Sequence, residues 1–168
     1  MLIRLSQAKD LAALCQIYNQ GIRSGAATFE SREREIAELQ SWLESSEQYP
    51  VLVLELQGQV QGFAALSAYR SRDCYRGIAE FSIYLHSEIQ GKGYGLPLLQ
   101  ALLQKALQLG FWKVLSRIFT FNSASRFLCQ KAGFREVGVY EKHAQLNGKW
   151  LDVVIVEYLI SANQSGEI

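Results

Sequence analysis

Gln90-Gly91-Lys92-Gly93-Tyr94-Gly95 joins two segments of different periodicity. Before it, Glu80-Phe81-Ser82-Ile83-Tyr84-Leu85 alternates and is rich in β-branched and aromatic side chains, which reads as a strand. After it, Leu96 to Leu107 repeats leucine at helical spacing, with Pro97 in the first turn, where a missing N–H costs little. A bend with three glycines between strand and helix leaves main-chain N–H groups unpaired, and the helix dipole adds partial positive charge there. Such a junction suits a phosphate or pyrophosphate. Two common phosphate loops do not fit. A P-loop needs Ser or Thr after its lysine, whereas Gly93 follows Lys92. A dinucleotide fingerprint needs G-x-G-x-x-G near the first strand, with an acidic residue about 20 positions on. A plain turn is the alternative reading.

Working outward, the 168 residues predict one domain, with a core over about 2–160 and a C-terminal tail over 161–168. Apolar residues make up 49% and charged residues 20%, a globular mixture that argues against disorder. A formal charge of +1 gives no basic excess, so no nucleic-acid partner is expected. No apolar run reaches the ~20 residues needed to span a bilayer, and Arg4, Lys9 and Asp10 stand where a signal peptide needs an apolar centre. A cytoplasmic protein without membrane attachment is therefore expected. Cys15, Cys74 and Cys129 are odd in number and far apart, which suits reduced thiols and predicts neither a disulfide framework nor a metal site.

The elements follow in order. Leu2 to Leu5 reads as a short strand, with Ser6 placed to cap the helix that carries Leu11, Leu14, Cys15 and Tyr18 on one face. Ile22 to Glu30 reads as a loop, and Ser31 as the cap of a second helix containing Ile36, Leu39, Trp42 and Leu43. Val51 to Leu54 is a continuous apolar run, as in a strand covered on both faces. Gln57-Gly58-Gln59 turns it into a hairpin with Val60 to Tyr69, and the polar loop Arg70 to Arg76 leads to the strand of Glu80. Beyond the leucine helix come a strand over Lys113 to Phe121 and a helix over Ser123 to Ala132 stopped by Gly133. Two further strands, Phe134 to Tyr140 and Trp150 to Leu159, flank an Asn147-Gly148 turn. Hairpins mixed with helices predict an α/β fold, a mixed sheet flanked by helices.

The Q-x-x-G-x-G of residues 90–95 resembles the acetyl-CoA pyrophosphate loop of the GNAT acyltransferases. Asn122-Ser123-Ala124-Ser125-Arg126-Phe127-Leu128-Cys129-Gln130-Lys131-Ala132-Gly133-Phe134 resembles the second signature of that superfamily, and the two occur in the right order with a strand between them. The resemblance covers essentially the whole chain. It implies a largely antiparallel mixed sheet splayed near its centre. Ile17-Tyr18-Asn19, Ala27-Thr28-Phe29, the segment from Tyr69 to Glu80, and Lys149-Trp150-Leu151-Asp152 are similar to the phosphinothricin acetyltransferase-like branch.

That resemblance implies roles. Acetyl-CoA is the expected co-substrate, held by Gln90, Gly91, Lys92, Gly93, Tyr94 and Gly95, by the strand end Ile83, Tyr84 and Leu85, and by Asn122 and Ser125. Asn122 is equally placed to be an ordinary helix cap. An amine must lose a proton to attack a thioester, and Glu80 falls where the branch carries its catalytic glutamate. Read from the residues alone, Glu80 is either that base or an edge carboxylate paired with Arg76 or Arg126. Arg70, Arg72 and Tyr75 match the basic-x-Arg-x-x-Tyr loop that grips acidic groups of an amino-acid acceptor, with Phe29 lining the same pocket; the plainer alternative is a solvated loop with Asp73 as ion partner. Cys129 departs from the pattern, since the superfamily commonly places tyrosine there and this branch histidine. It is either an acid for the departing thiolate, a covalent acetyl carrier, or an inert buried thiol, in which case Tyr84 or water supplies the proton. His86 and His143 belong to no triad or metal spacing.

The reading is an N-acetyltransferase acting directly, in a ternary complex, on a small amino acid or analogue of the phosphinothricin, methionine sulfone or sulfoximine type. A homodimer is expected by analogy. Alternatives are a polyamine, antibiotic or protein N-terminus as acceptor, or a non-catalytic coenzyme sensor.

Overall fold

The computed structural model describes residues 1–164. Its strands are β1 (Leu2–Leu5), β2 (Val51–Leu56), β3 (Gln59–Ala68), β4 (Ile78–Leu85), β5 (Lys113–Phe119), β6 (Arg135–Leu146) and β7 (Lys149–Leu159). Its α-helices are α1 (Leu11–Ser24), α2 (Gln40–Glu44), α3 (Gly95–Gln108) and α4 (Ser123–Lys131). The strands form one sheet in the order β1-β2-β3-β4-β5-β7-β6, antiparallel at every neighbour except β4–β5. This is the mixed sheet that the pattern predicts, largely antiparallel as the resemblance implies.

Alternation along β2 decides the two faces. Leu52 and Leu54 join Ala79 and Phe81 of β4 against the leucine stripe of α3, Leu98, Leu99, Leu102 and Leu103. Val51 and Val53 face the other way, with Phe63, against Leu11, Leu14 and Ile17 of α1. The apolar run is thus covered on both sides, as a central strand requires. Each buried leucine contributes roughly 1.5–3 kcal/mol, so α3 is held mainly by its stripe.

Three local expectations are corrected. Ser6 caps nothing; its Oγ is buried without a partner among the described residues. The chain instead enters a 3-10 turn, Ala8–Asp10, in which the Gln7 N–H donates to Asp10 Oδ2 at 2.8 Å. Asp10 prevails because its carboxylate also meets the Arg4 guanidinium at 2.7 Å. Helix α1 continues past Ile22 to Ser24 and ends on Gly25, whose φ of +63° closes the last turn. Ser31 caps nothing either. A 3-10 turn, Ile36–Leu39, precedes the five-residue α2, and the Glu35 N–H is taken by Glu38 at 2.7 Å. Two smaller bounds shift as well: β5 stops at Phe119, and β6 runs on to the Asn147-Gly148 turn.

The expected tail begins as a 3-10 turn, Ser161–Asn163, and the Asn163 side chain donates to the carbonyls of Leu107 and Phe111, both at 2.8 Å. It thereby ties the chain after β7 to the last turn of α3 and to the approach to β5. The tail beyond Gln164 lies outside the described residues. Among the described residues, no helix is long and apolar enough to cross a membrane.

Candidate active site

Strands β4 and β5 share only three register positions, Ile78↔Lys113, Ala79↔Val114 and Glu80↔Leu115. Beyond Glu80 they part, β4 running to Leu85 and β5 to Phe119. A cavity of about 480 Å³ opens between them, and Glu80, Ile83, Tyr84, Arg117, Cys129 and His143 are among its lining residues. On its other side β4 stays paired with β3, and the His86 N–H on the Gln61 carbonyl at 2.7 Å fixes the alternation. The main chains of Glu80, Ser82 and Tyr84 therefore face β3, while that of Phe81 still faces β5 and those of Ile83 and Leu85 face the gap.

The glycine bend sits at the N-terminus of α3. Gly91 and Gly93 have φ of +73° and +86°, which β-carbon sterics disfavour in other residues. Among the described residues, the N–H groups of Gly91, Gly93, Tyr94 and Gly95 have no recorded hydrogen-bond partner. Gly95 serves packing instead, since a Cβ there would lie 3.1 Å from Leu128 of α4. The Gln90 side chain donates to the Leu85 carbonyl at 3.0 Å and so closes the bend onto β4. Lys92 is exposed. Unpaired N–H groups at a helix start, next to a gap with unpaired strand edges, fit a pyrophosphate and an amide-bearing arm.

Asn122 caps α4, accepting from the Ser125 N–H at 3.1 Å, and its amide donates to the Ala26 carbonyl at 2.9 Å. Both Asn122 and Ser125 line the cavity. The second bond anchors the loop Ala26 to Glu30, and Asn19 holds the chain beyond it at Arg34. That buried amide accepts from the Arg34 N–H at 2.8 Å and donates to the Arg34 carbonyl at 2.9 Å. Phe29 is thereby set edge-on against Phe119, centroids 4.7 Å apart, at the cavity wall.

Glu80 is partnered by neither Arg76 nor Arg126. Arg76 pairs with Asp73 at 2.9 Å and Arg126 with Glu136 at 2.7 Å. Glu80 Oε2 instead accepts from Nη2 of Arg117 at 2.6 Å. Register explains the substitution: Glu80 lies opposite Leu115, and Arg117 is two residues further on the same face of β5. Tyr84 is enclosed by Tyr18 (5.0 Å, edge-on) and Phe63 (5.3 Å, stacked), and burial raises its phenol above the ordinary range. Cys129 belongs to the core on the α3 side, and burial, with a smaller contribution from Glu136, pushes its thiol up to about 12.

The loop after β3 stands apart. Arg70 lies over the Tyr69 ring at 5.2 Å, Tyr69 meets Tyr75 edge-on at 5.6 Å, and Arg72 is exposed at the start of the 3-10 turn Asp73–Tyr75. None of Arg70, Arg72 and Tyr75 lines the cavity of its own chain.

Arg117 and His143 line the cavity although the sequence singles out neither for it. For Arg117 a signal existed: a charge inside the apolar strand Val114-Leu115-Ser116-Arg117-Ile118-Phe119. For His143 none did. Its place follows from a bulge in β6, where Tyr140 pairs with Val153 and Ala144 with Leu151, leaving three residues opposite Asp152. Lys142 there has φ +46°, and its N–H donates to Asp152 Oδ1 at 2.7 Å. Bulges of this kind re-aim side chains.

Residues 3–155 match the family model described as the acetyltransferase (GNAT) domain. The chain belongs to the GNAT acetyltransferase family. It is 30% identical over 166 residues to an L-methionine sulfoximine/L-methionine sulfone acetyltransferase of Pseudomonas paraeruginosa, an alignment covering 97% of this chain and 96% of the relative. Among solved structures it is similar to a GNAT superfamily phosphinothricin acetyltransferase of Sinorhizobium meliloti in complex with acetyl-CoA. The TM-score is 0.89 at 32% identity, covering 99% of this chain and 91% of that one. It is also similar to a ribosomal-protein-alanine N-acetyltransferase of Brucella melitensis, with TM-score 0.92 at 31% identity, covering 95% and 100%. Motif order, splayed sheet and glycine bend therefore agree with the family that the sequence resembles.

Proposed function

We propose that this GNAT acetyltransferase transfers the acetyl group of acetyl-CoA to the amine of a small amino acid or analogue, of the methionine sulfone, methionine sulfoximine or phosphinothricin type. One observation carries the reading: the sheet opens immediately after Glu80, and the opening is served by the unpaired N–H groups of Gly91, Gly93, Tyr94 and Gly95. Acetyl-CoA would supply an activated acyl group as its thioester. The glycine bend and the α3 dipole would hold its pyrophosphate, and Ile83 with Asn122 and Ser125 would hold its arm. Lys92 would add charge at the rim.

Glu80 takes the proton of the acceptor's ammonium group, directly or through a water, so that the free amine attacks. Cys129 stays protonated at neutral pH and forms no acetyl adduct, because a thiol near 12 yields almost no thiolate. Tyr84 likewise keeps its proton and serves as a wall. Water then returns a proton to the departing thiolate. Arg70, Arg72 and Tyr75 act on the acceptor across a two-fold axis, in a cytoplasmic homodimer formed through the β6 edge, where Val139 and Tyr140 are exposed, as is Trp150 of the adjoining β7. Sedimentation as a monomer at assay concentration would remove that part.

The test is release of free thiol from acetyl-CoA against a panel of amino acids, their analogues, polyamines and N-terminal peptides. Release with methionine sulfone or phosphinothricin is expected. A second reading, transfer to a protein N-terminus, draws on the Brucella neighbour and predicts release with peptides only. Coenzyme binding without release from any amine would overturn both.

A further inference from the structure

We infer that Arg117 anchors the α-carboxylate of the acceptor inside the cavity, so that the Glu80–Arg117 pair recognises the whole zwitterionic head of a free α-amino acid. The inference deepens the proposed acetyl transfer to amino acids and rests on it.

Arg117 lies on the acceptor side. The α3 side of the opening carries the glycine bend, Asn122, Ser125 and Cys129, whereas Val114 and Ile118 of β5 pack into that same core. The alternate residues of β5 point to the opposite face, where Phe119 meets Phe29. Arg117 belongs to that set, as does Glu80 by its register with Leu115.

The guanidinium is also underused. Only Nη2 is engaged, at 2.6 Å from Glu80 Oε2; among the described residues, Nη1 and Nε of Arg117 and Oε1 of Glu80 have no recorded hydrogen bond. An ion pair satisfied for its own sake tends towards two parallel bonds, as Arg126 forms with Glu136 at 2.7 and 3.0 Å. The Arg117 side chain is 44% exposed and lines the cavity, so its free edge can be reached by a ligand.

The pair matches its ligand in charge and in spacing. An α-amino acid carries an ammonium and a carboxylate two bonds apart on one carbon. A carboxylate and a guanidinium 2.6 Å apart present the opposite signs at comparable separation. The planar fork takes the carboxylate, and the ammonium falls against Glu80, to which it yields its proton before attack. A peptide N-terminus or a polyamine lacks the α-carboxylate and leaves Arg117 unmatched, so the pair selects against them.

The experiment compares kcat/KM for methionine sulfone and for its α-carboxamide, in the natural protein, in Arg117→Ala and in Arg117→Lys. The ratio within each protein cancels changes at Glu80, and comparison between proteins cancels the different basicity of the two amines. Arg117→Ala should lower the acid-to-amide ratio about ten- to a hundredfold, the worth of a charged hydrogen bond, with the KM for acetyl-CoA unchanged. Arg117→Lys, which keeps the charge without the fork, should fall between, and it decides the matter if the alanine variant folds poorly. An unchanged ratio in active variants overturns the role of Arg117 and leaves amino-acid transfer standing. Thiol release with peptides but with no free amino acid overturns both.

Discussion

In the proposed transfer Glu80 is the proton acceptor, and its position is set by register rather than by any local motif. Glu80→Gln keeps the size and removes the proton acceptor. Turnover should fall by about 10²- to 10⁴-fold while acetyl-CoA affinity, measured by titration, stays nearly constant. An unimpaired rate would take Glu80 out of the reaction. Cys129→Ala should leave kcat within a few-fold, because the thiol it removes is buried and holds its proton up to about 12. An acetyl group trapped on that sulfur, seen by mass spectrometry, would contradict direct transfer. At this scale the sequence was half legible. Glu80 and Phe29 stand out through residues that resemble a family, and both line the cavity. The partner of Glu80 does not, since whether Arg76, Arg117 or Arg126 reaches it depends on pairing 37 residues away.

Among elements, the bend between β4 and α3 was readable because glycine answers a local demand. Gly93→Ala forces a β-carbon into φ +86°, at a cost of roughly 1–2 kcal/mol. The expected result is a several-fold rise in the KM for acetyl-CoA with the acceptor KM unchanged; equal changes in both would place the bend elsewhere in the mechanism. The β6 bulge was not readable. It depends on Asp152 capturing the Lys142 N–H from the neighbouring strand, and nothing local in Glu141-Lys142-His143 announces it. The misplaced caps at Ser6 and Ser31 have a similar origin. Serine is a competent cap, but a carboxylate that already holds an arginine, as Asp10 and Glu38 do, prevails over it.

Across the whole molecule, two charged knots tie the sheet at its ends. Arg4 joins Asp10 and Glu55 at the β1 end, and Glu157 joins Lys113 and Arg135 at the other. Both Asp10 and Glu157 are held below the usual carboxylate range, chiefly by hydrogen bonds from Arg4 and Lys113 respectively. Their unfolded-state values near 3.9 and 4.3 are higher, so the stability they contribute is present above about pH 5 and is lost as the pH falls through the folded values. Tm should be flat towards neutrality and drop below about pH 4, and Asp10→Asn should flatten part of that acid limb; an identical limb would clear Asp10 of the effect. The sheet order itself was legible only as a class, because parallel pairing of β4 with β5 is made by chain segments separated by a whole helix. That brief pairing also bears on motion. Past Phe81 the amide protons of Ile83 and Leu85 have no neighbouring strand to shield them, and they should exchange with deuterated water quickly. Saturating acetyl-CoA should slow both by orders of magnitude, so that the substrate itself completes the weave of the fold it enters.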